Sequence, residues 1–195
     1  MGSCIRPYDL TLPASARAQA LGQKPCCLWL TGLSGAGKST LANSLDLALH
    51  QRGLHAYVLD GDNLRNGLCR DLGMSAAERS ENIRRIAEVA KLMVEAGLVV
   101  IVSAISPFQA DRDAARALFE PGQFRCVYVS TSFEECARRD PKGLYRAARE
   151  GRIHNFTGFD SPYEPPYDAD CEIDTARLSI PETTQALIEL LTPEA

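Results

Sequence analysis

The chain has 195 residues, 45% hydrophobic and 24% charged, an ordinary balance for one soluble domain with a substantial core. A formal net charge of −4 argues against non-specific nucleic-acid binding as a main role. No apolar run approaches the roughly 20 residues that span a bilayer, and Arg6, Pro7, Asp9, Pro13 and Arg17 interrupt any signal-peptide core, so the expected setting is cytoplasmic, away from membranes.

Residues 1–24 are polar, alanine-rich and broken by prolines, and read as an N-terminal arm or short helix ahead of a core domain at 25–195. The apolar run at 26–31 predicts a buried strand. After it, Gly32-Leu33-Ser34-Gly35-Ala36-Gly37-Lys38-Ser39 fills the P-loop pattern G-x-x-x-x-G-K-[ST], followed by Thr40. Glycines let such a loop wrap an anion with its backbone N–H groups, and the next helix adds its positive dipole end. Lys38 would then reach the β- and γ-phosphates of a nucleotide, and the Ser39 hydroxyl would ligate Mg²⁺. Leu41, Leu45 and Leu49 recur at spacing four and predict that helix, running to about Arg52 and stopped by Gly53.

His55–Leu59 predicts a second strand, ending in Asp60-Gly61-Asp62-Asn63. Ser75 and Glu78 form a capping box for a helix over 76–95, whose apolar stripe is Ile83, Ile86, Ala87, Ala90, Met93 and Val94. Leu98–Ser103 predicts a third strand, apolar throughout as a central parallel strand should be. A helix is expected from Pro107, a fourth strand at 124–129, a helical turn at 133–138 and a helix at 142–150. Residues 151–169 hold three prolines and two glycines and read as an irregular loop. A short strand at 171–173 and a helix at 181–191 complete the chain. This alternation predicts an α/β fold of the P-loop NTPase type: a doubly wound, parallel, five-stranded sheet with helices on both faces and a lid over about 138–168.

None of the seven cysteines (4, 26, 27, 69, 126, 136 and 171) has zinc-type spacing, and inert thiols are expected, with Cys26, Cys27 and Cys126 in core strands.

Ligands of a doubly wound sheet gather at the carboxyl ends of its strands. The P-loop, Asp60–Arg65 and Ser103–Phe108 all fall there. Phosphoryl transfer needs Mg²⁺ placement, charge neutralisation and an oriented nucleophile. Asp62 is the candidate for holding a Mg²⁺-bound water or taking a hydroxyl proton, with Asp60 in support; the alternative is an Asx-turn closing the strand. The third strand does not end in aspartate and no Asn-Lys-x-Asp run is present, which points away from GTPase switches and towards a small-molecule kinase. Arginines and lysines at 65–85 and 138–152 are either solvated helix faces or the counter-charge for an anionic acceptor, together with a basic lid. Phe108, Phe156 and Phe159 could stack on a base or simply pack. The residues alone leave open a kinase for another hydroxylated acceptor, such as gluconate or a nucleoside, and a nucleotide-dependent regulatory partner of a sulfurylase.

Six blocks in order resemble the adenylylsulfate kinase family. They are Gly32–Thr40, Asp60–Arg65, Glu81–Arg85, Ile105–Phe108, Arg139–Tyr145 and Phe156–Glu164. The resemblance implies transfer of the ATP γ-phosphoryl group to the 3′-hydroxyl of adenosine 5′-phosphosulfate (APS), with Mg²⁺ and a homodimer. It implies ATP binding by Gly35 to Thr40 of the P-loop. Asp62, Asn63, Leu64, Arg65, Arg79, Asn82, Ile105, Ser106, Pro107, Lys142 and Phe156 would form the acceptor pocket, Phe156 stacking on adenine. Ser106 matches the position the family associates with a phosphoserine; a single in-line transfer needs no such intermediate, and Ser106 is expected to position substrate. The chain departs from the family pattern at Met74, which would cover the adenine in place of Phe, at His154 in place of Lys, and at Phe159 in place of Ile. No sulfurylase segment is present in the sequence, so one activity is expected.

Overall fold

The computed structural model describes residue 8 and residues 10–191, so Cys4 and most of the first nine residues of the predicted arm lie outside the described residues. Five strands form one parallel sheet: β1 (Cys26–Thr31), β2 (Ala56–Asp60), β3 (Val99–Ser103), β4 (Phe124–Val129) and β5 (Cys171–Ile173). Their order across the sheet is β2-β3-β1-β4-β5, which sets the P-loop strand in the centre. Register aligns Leu30 with Ser103 and Asp60 with Ser103. The carboxyl ends of β2, β3 and β1 are therefore adjacent.

Both faces of the sheet are covered, which is why its two central strands, β1 and β3, are apolar without alternation. Leu28, Leu30, Val99 and Ile101 pack in one cluster with α2 (Lys38–Gln51) and α8 (Ile180–Leu191). Cys27, Trp29, Val100 and Val102 point the other way, to a cluster with α4 (Ala76–Glu95) and α5 (Gln109–Arg116). Side chains of successive strand residues leave the sheet on opposite faces, so one run supplies both cores. Leu41, Leu45 and Leu49 of α2 are at most 2% exposed, and full burial of each leucine is worth about 1.5–3 kcal/mol.

The remaining helices are α1 (Ala14–Leu21), α3 (Gly61–Arg65), α6 (Phe133–Arg139) and α7 (Leu144–Arg149). α1 ends at Gly22 in the left-handed region. Just beyond it, Gln23 bonds the His55 and Gly97 carbonyls and accepts from the His55 N–H, tying the arm to the amino ends of β2 and β3.

Two helix starts differ from expectation, and Asp60–Arg65 carries the Asx-turn on into a short helix. Asp60 accepts from the N–H groups of Asp62 and Asn63 and so caps α3. The helix expected from Pro107 starts at Gln109, because Ile105–Pro107 is used as a wall of the central cavity and Phe108 is the extended N-cap residue. The helix expected from Lys142 starts at Leu144, after a turn with left-handed Asp140 and Gly143. Cys69 and Cys136 are fully buried, like Cys27.

The capping box at the start of α4 is formed in both directions between Ser75 and Glu78, and Glu78 also accepts from Gly73 N–H. We expect Ser75→Ala to lower unfolding free energy by about 1 kcal/mol, read as a lower urea midpoint at unchanged m-value.

Candidate active site

A cavity of about 660 Å³ lies over the carboxyl ends of β1, β3 and β2. One side is the P-loop, from Ser34 and Gly35 to Thr40. Its floor carries Asp60, Asp62, Ser103 and the Ile105–Pro107 turn. Arg65, Met74, Arg79 and Asn82 come from α3, α4 and the segment between them, and Lys142 and Ile153–Thr157 close the far side.

The P-loop is fixed from behind through its carbonyls. Lys38 Nζ donates to Gly32 O and Leu33 O, both at 2.8 Å. Tyr145 OH donates to Ser34 O at 2.9 Å, and Arg139 Nη1 reaches Gly35 O at 3.5 Å. Thr131 and Thr175 hydroxyls donate to Ala36 O at 3.2 and 2.8 Å. The Gly37 carbonyl receives the Leu41 N–H. With these acceptors engaged by the protein, an incoming anion meets the loop's amides and the amino end of α2. Gly32 has φ +146°, and a Cβ there would lie 2.4 Å from Val129 O, so the loop can sit this low only with glycine.

Ser39 Oγ donates to Asp60 Oδ2 at 2.7 Å and lies 3.2 Å from Ser103 Oγ. Burial pushes the Asp60 carboxyl up, but hydrogen bonds from Ser39 and the Asn63 and Asp62 N–H groups outweigh it and keep its pKa below the usual value. Two hydroxyls and an ionised carboxylate suit a hard cation such as Mg²⁺, which takes few protein ligands and completes its shell with phosphate and water. Consistent with that division, no group of three or more His, Cys, Asp and Glu among the described residues could hold a metal by itself. Asp62 sits apart from this pair, in a salt bridge with Lys142.

On the acceptor side, Arg79 is 8% exposed and Asn82 5% exposed. Arg79 bonds the Thr157 hydroxyl, the Asn155 carbonyl and Met74 O, joining α4 to the loop that covers the cavity. Asn82 Oδ1 is buried without a hydrogen-bond partner, the kind of acceptor a ligand donor would satisfy. Phe156 lines the cavity, its ring edge-on to Tyr145 at 4.9 Å. Ser106 is 1% exposed and its hydroxyl receives the Trp29 indole N–H at 3.0 Å, which points it into the protein and away from a nucleophile's position.

Some candidate residues lie outside the lining. Gly32, Leu33 and Ala36 of the loop do not line the cavity, and Leu33 lies against Gly158 of the cover. Asn63 contributes its N–H to the Asp60 cap, and Leu64 packs with the α4 core. Phe108 is the N-cap position of α5. Thr131 and Thr175 were not legible in the sequence, because isolated hydroxyls far from the motif carry no pattern; Tyr145 and Thr157 fell inside motif blocks, but no role was assigned to them.

The chain matches the family model described as adenylylsulphate kinase over residues 24–174. An adenylyl-sulfate kinase of Shewanella sp. (strain ANA-3) is 57% identical over 95% of this chain and 90% of that protein. The structure of a Mycobacterium tuberculosis APS kinase in complex with AMPPNP and APS superposes with a TM-score of 0.84 at 46% identity, covering 87% of this chain and 98% of that one. A hexameric APS kinase from Thiobacillus denitrificans gives a TM-score of 0.64 at 30% identity, covering 87% of this chain and 29% of that one.

Burial pushes the Lys38 ammonium down to about 8, with Lys142 adding to the depression and Cys136, Asp62 and Asp60 opposing it. Bound triphosphate would favour the charged form and raise that value again. Below pH 8 lysine is protonated in both states; above it the free protein is deprotonated while the complex holds the proton. Nucleotide binding at about pH 9 should therefore take up most of one proton and weaken as pH rises further. Calorimetry in buffers of different ionisation enthalpy should show this uptake, and Lys38→Met should abolish it.

Proposed function

The chain belongs to the adenylylsulphate kinase family, and on that premise we propose that it transfers the γ-phosphoryl group of ATP to the 3′-hydroxyl of APS. The products are 3′-phosphoadenylyl sulfate and ADP. The observation that carries this reading is that P-loop and acceptor wall face one another across a single cavity.

The P-loop amides and Lys38 take the ATP phosphates. Ser39 would hold Mg²⁺ with a carboxylate beside it; Asp60, already bonded to Ser39, is better placed for that than Asp62. The metal would supply charge neutralisation across the β- and γ-phosphates. Asp62 orients the 3′-hydroxyl and accepts its proton as the new O–P bond forms and ADP departs with the electrons of the broken one. Arg65, Arg79 and Lys142 supply positive charge to the phosphosulfate in a chain whose total is negative. Asn82, Ile105, Ser106 and Pro107 shape the acceptor wall, and Phe156 and Met74 pack on adenine. Transfer is direct, in line and without a phosphoserine, in keeping with the inward-facing Ser106 hydroxyl. Segment 138–168 acts as a lid that excludes water.

We place the enzyme in the cytoplasm as a homodimer supplied by a sulfurylase, in sulfate activation. No described helix is long and apolar enough to cross a membrane, and sedimentation analysis would read the assembly.

ADP release from Mg²⁺-ATP should rise strongly on adding APS, with a 3′-phosphorylated product, and gluconate or nucleosides should fail to replace APS. Lys38→Ala and Asp62→Ala should each lower kcat by roughly 10²–10³. Wild-type turnover in either variant would overturn its role.

A further inference from the structure

Ser106 holds an unusual conformation. Its φ is +41°, a region side chains other than glycine rarely adopt, and the residue before a proline is restricted further. Such a turn persists only where surrounding groups over-determine it. Three do so here. Trp29 Nε1 donates to Ser106 Oγ at 3.0 Å, Arg112 Nη1 donates to Ser106 O at 2.6 Å, and Thr31 Oγ1 donates to the preceding carbonyl, Ile105 O, at 2.7 Å. Trp29 is wholly buried in the central strand, and its ring stacks on Phe124 with centroids 5.7 Å apart. It cannot follow the loop, so the loop must meet it. Indole nitrogen is a donor only, and without Ser106 its N–H would be stranded in an apolar core.

We propose that Trp29 is a positioning residue for the phosphoryl acceptor. Its indole N–H holds the Ser106 hydroxyl, and through it the left-handed turn that sets Ile105 and Pro107 into the acceptor wall. The nucleotide side is fixed by other groups, so the effect falls on one substrate. The inference rests on the acceptor reading of this wall. It makes the Ser106 side chain an anchor to the sheet, with its backbone turn rather than its hydroxyl serving the ligand.

Trp29→Phe keeps an aromatic body in the core and removes the donor. It should raise the KM for APS about fivefold, as the loss of one buried hydrogen bond implies, with the KM for ATP unchanged. Ser106→Ala should raise it more, because it leaves the indole N–H unpaired, and the double variant should recover part of that loss. A folded Trp29→Phe protein with an unchanged KM for APS, or a double variant no better than Ser106→Ala, would overturn the proposal. Should the tryptophan variant not fold, the wild-type and Ser106→Ala proteins decide it. The chain has one tryptophan, hence one indole N–H resonance. In Ser106→Ala it should move upfield and exchange faster with solvent, and in the wild type it should shift on adding APS; a resonance indifferent to both rejects the assignment. A wild-type enzyme without APS-dependent ADP release would reject the acceptor reading itself, a result separate from a silent Trp29 variant in an active enzyme.

Discussion

The P-loop is held by its carbonyl groups, and the rest of the site depends on that. Six consecutive carbonyls, from Gly32 to Gly37, receive donors from the protein: Lys38, Tyr145, Arg139, Thr131, Thr175 and the first turn of α2. Peptide groups are rigid planes, so a carbonyl turned into the protein sends the next amide the other way. A loop that satisfies its acceptors internally therefore presents donors to the cavity. Electrostatic stabilisation of transferred phosphoryl groups is most effective when the dipoles are already in place.

Apart from Lys38 and the Leu41 N–H of α2, the donors that hold the loop come from β4's carboxyl end, α6, α7 and the segment after β5. The acceptor wall comes from β2, β3 and α4. The central strand joins the two halves: Thr31 bonds the Ile105 carbonyl at 2.7 Å, and Tyr163 from the covering loop meets the same hydroxyl at 3.0 Å. Arg112 ties that wall to the cover through Glu164 O at 2.7 Å. Gly158 of the cover packs against Leu33 of the P-loop. The cover thus touches both surfaces, while each is held by its own set of hydrogen bonds.

Elements whose signals are local were legible. The α4 start was readable because a capping box lies within four residues, and β1 and β3 because a fully buried strand shows as an unbroken apolar run. Helix starts at Gln109 and Leu144 were displaced from the sequence reading by two residues each, since the preceding residues are held by the cavity and by the Asp140 turn. The sequence reading gave Asp62 both the metal and the hydroxyl proton, with Asp60 in support. Capping of α3 turns Asp60 towards Ser39, while Asp62 is left facing Lys142, 80 residues away. That division follows from a helical turn and a distant lysine, and neither was readable from the motif.

The sequence by itself determined the phosphate-binding loop, the parallel α/β architecture and the identity of most cavity residues. These depend on short-range pattern: glycines where a backbone must fold tightly, periodic apolar residues and motif blocks in order. Only the tertiary structure decided which groups hold those residues in place. Trp29 meets Ser106 across 77 positions, Tyr145 meets Ser34 across 111, and Thr175 meets Ala36 across 139. A lone hydroxyl or indole has no periodicity to betray its role, and its partner is set by strand order and register, which packing of the whole sheet determines.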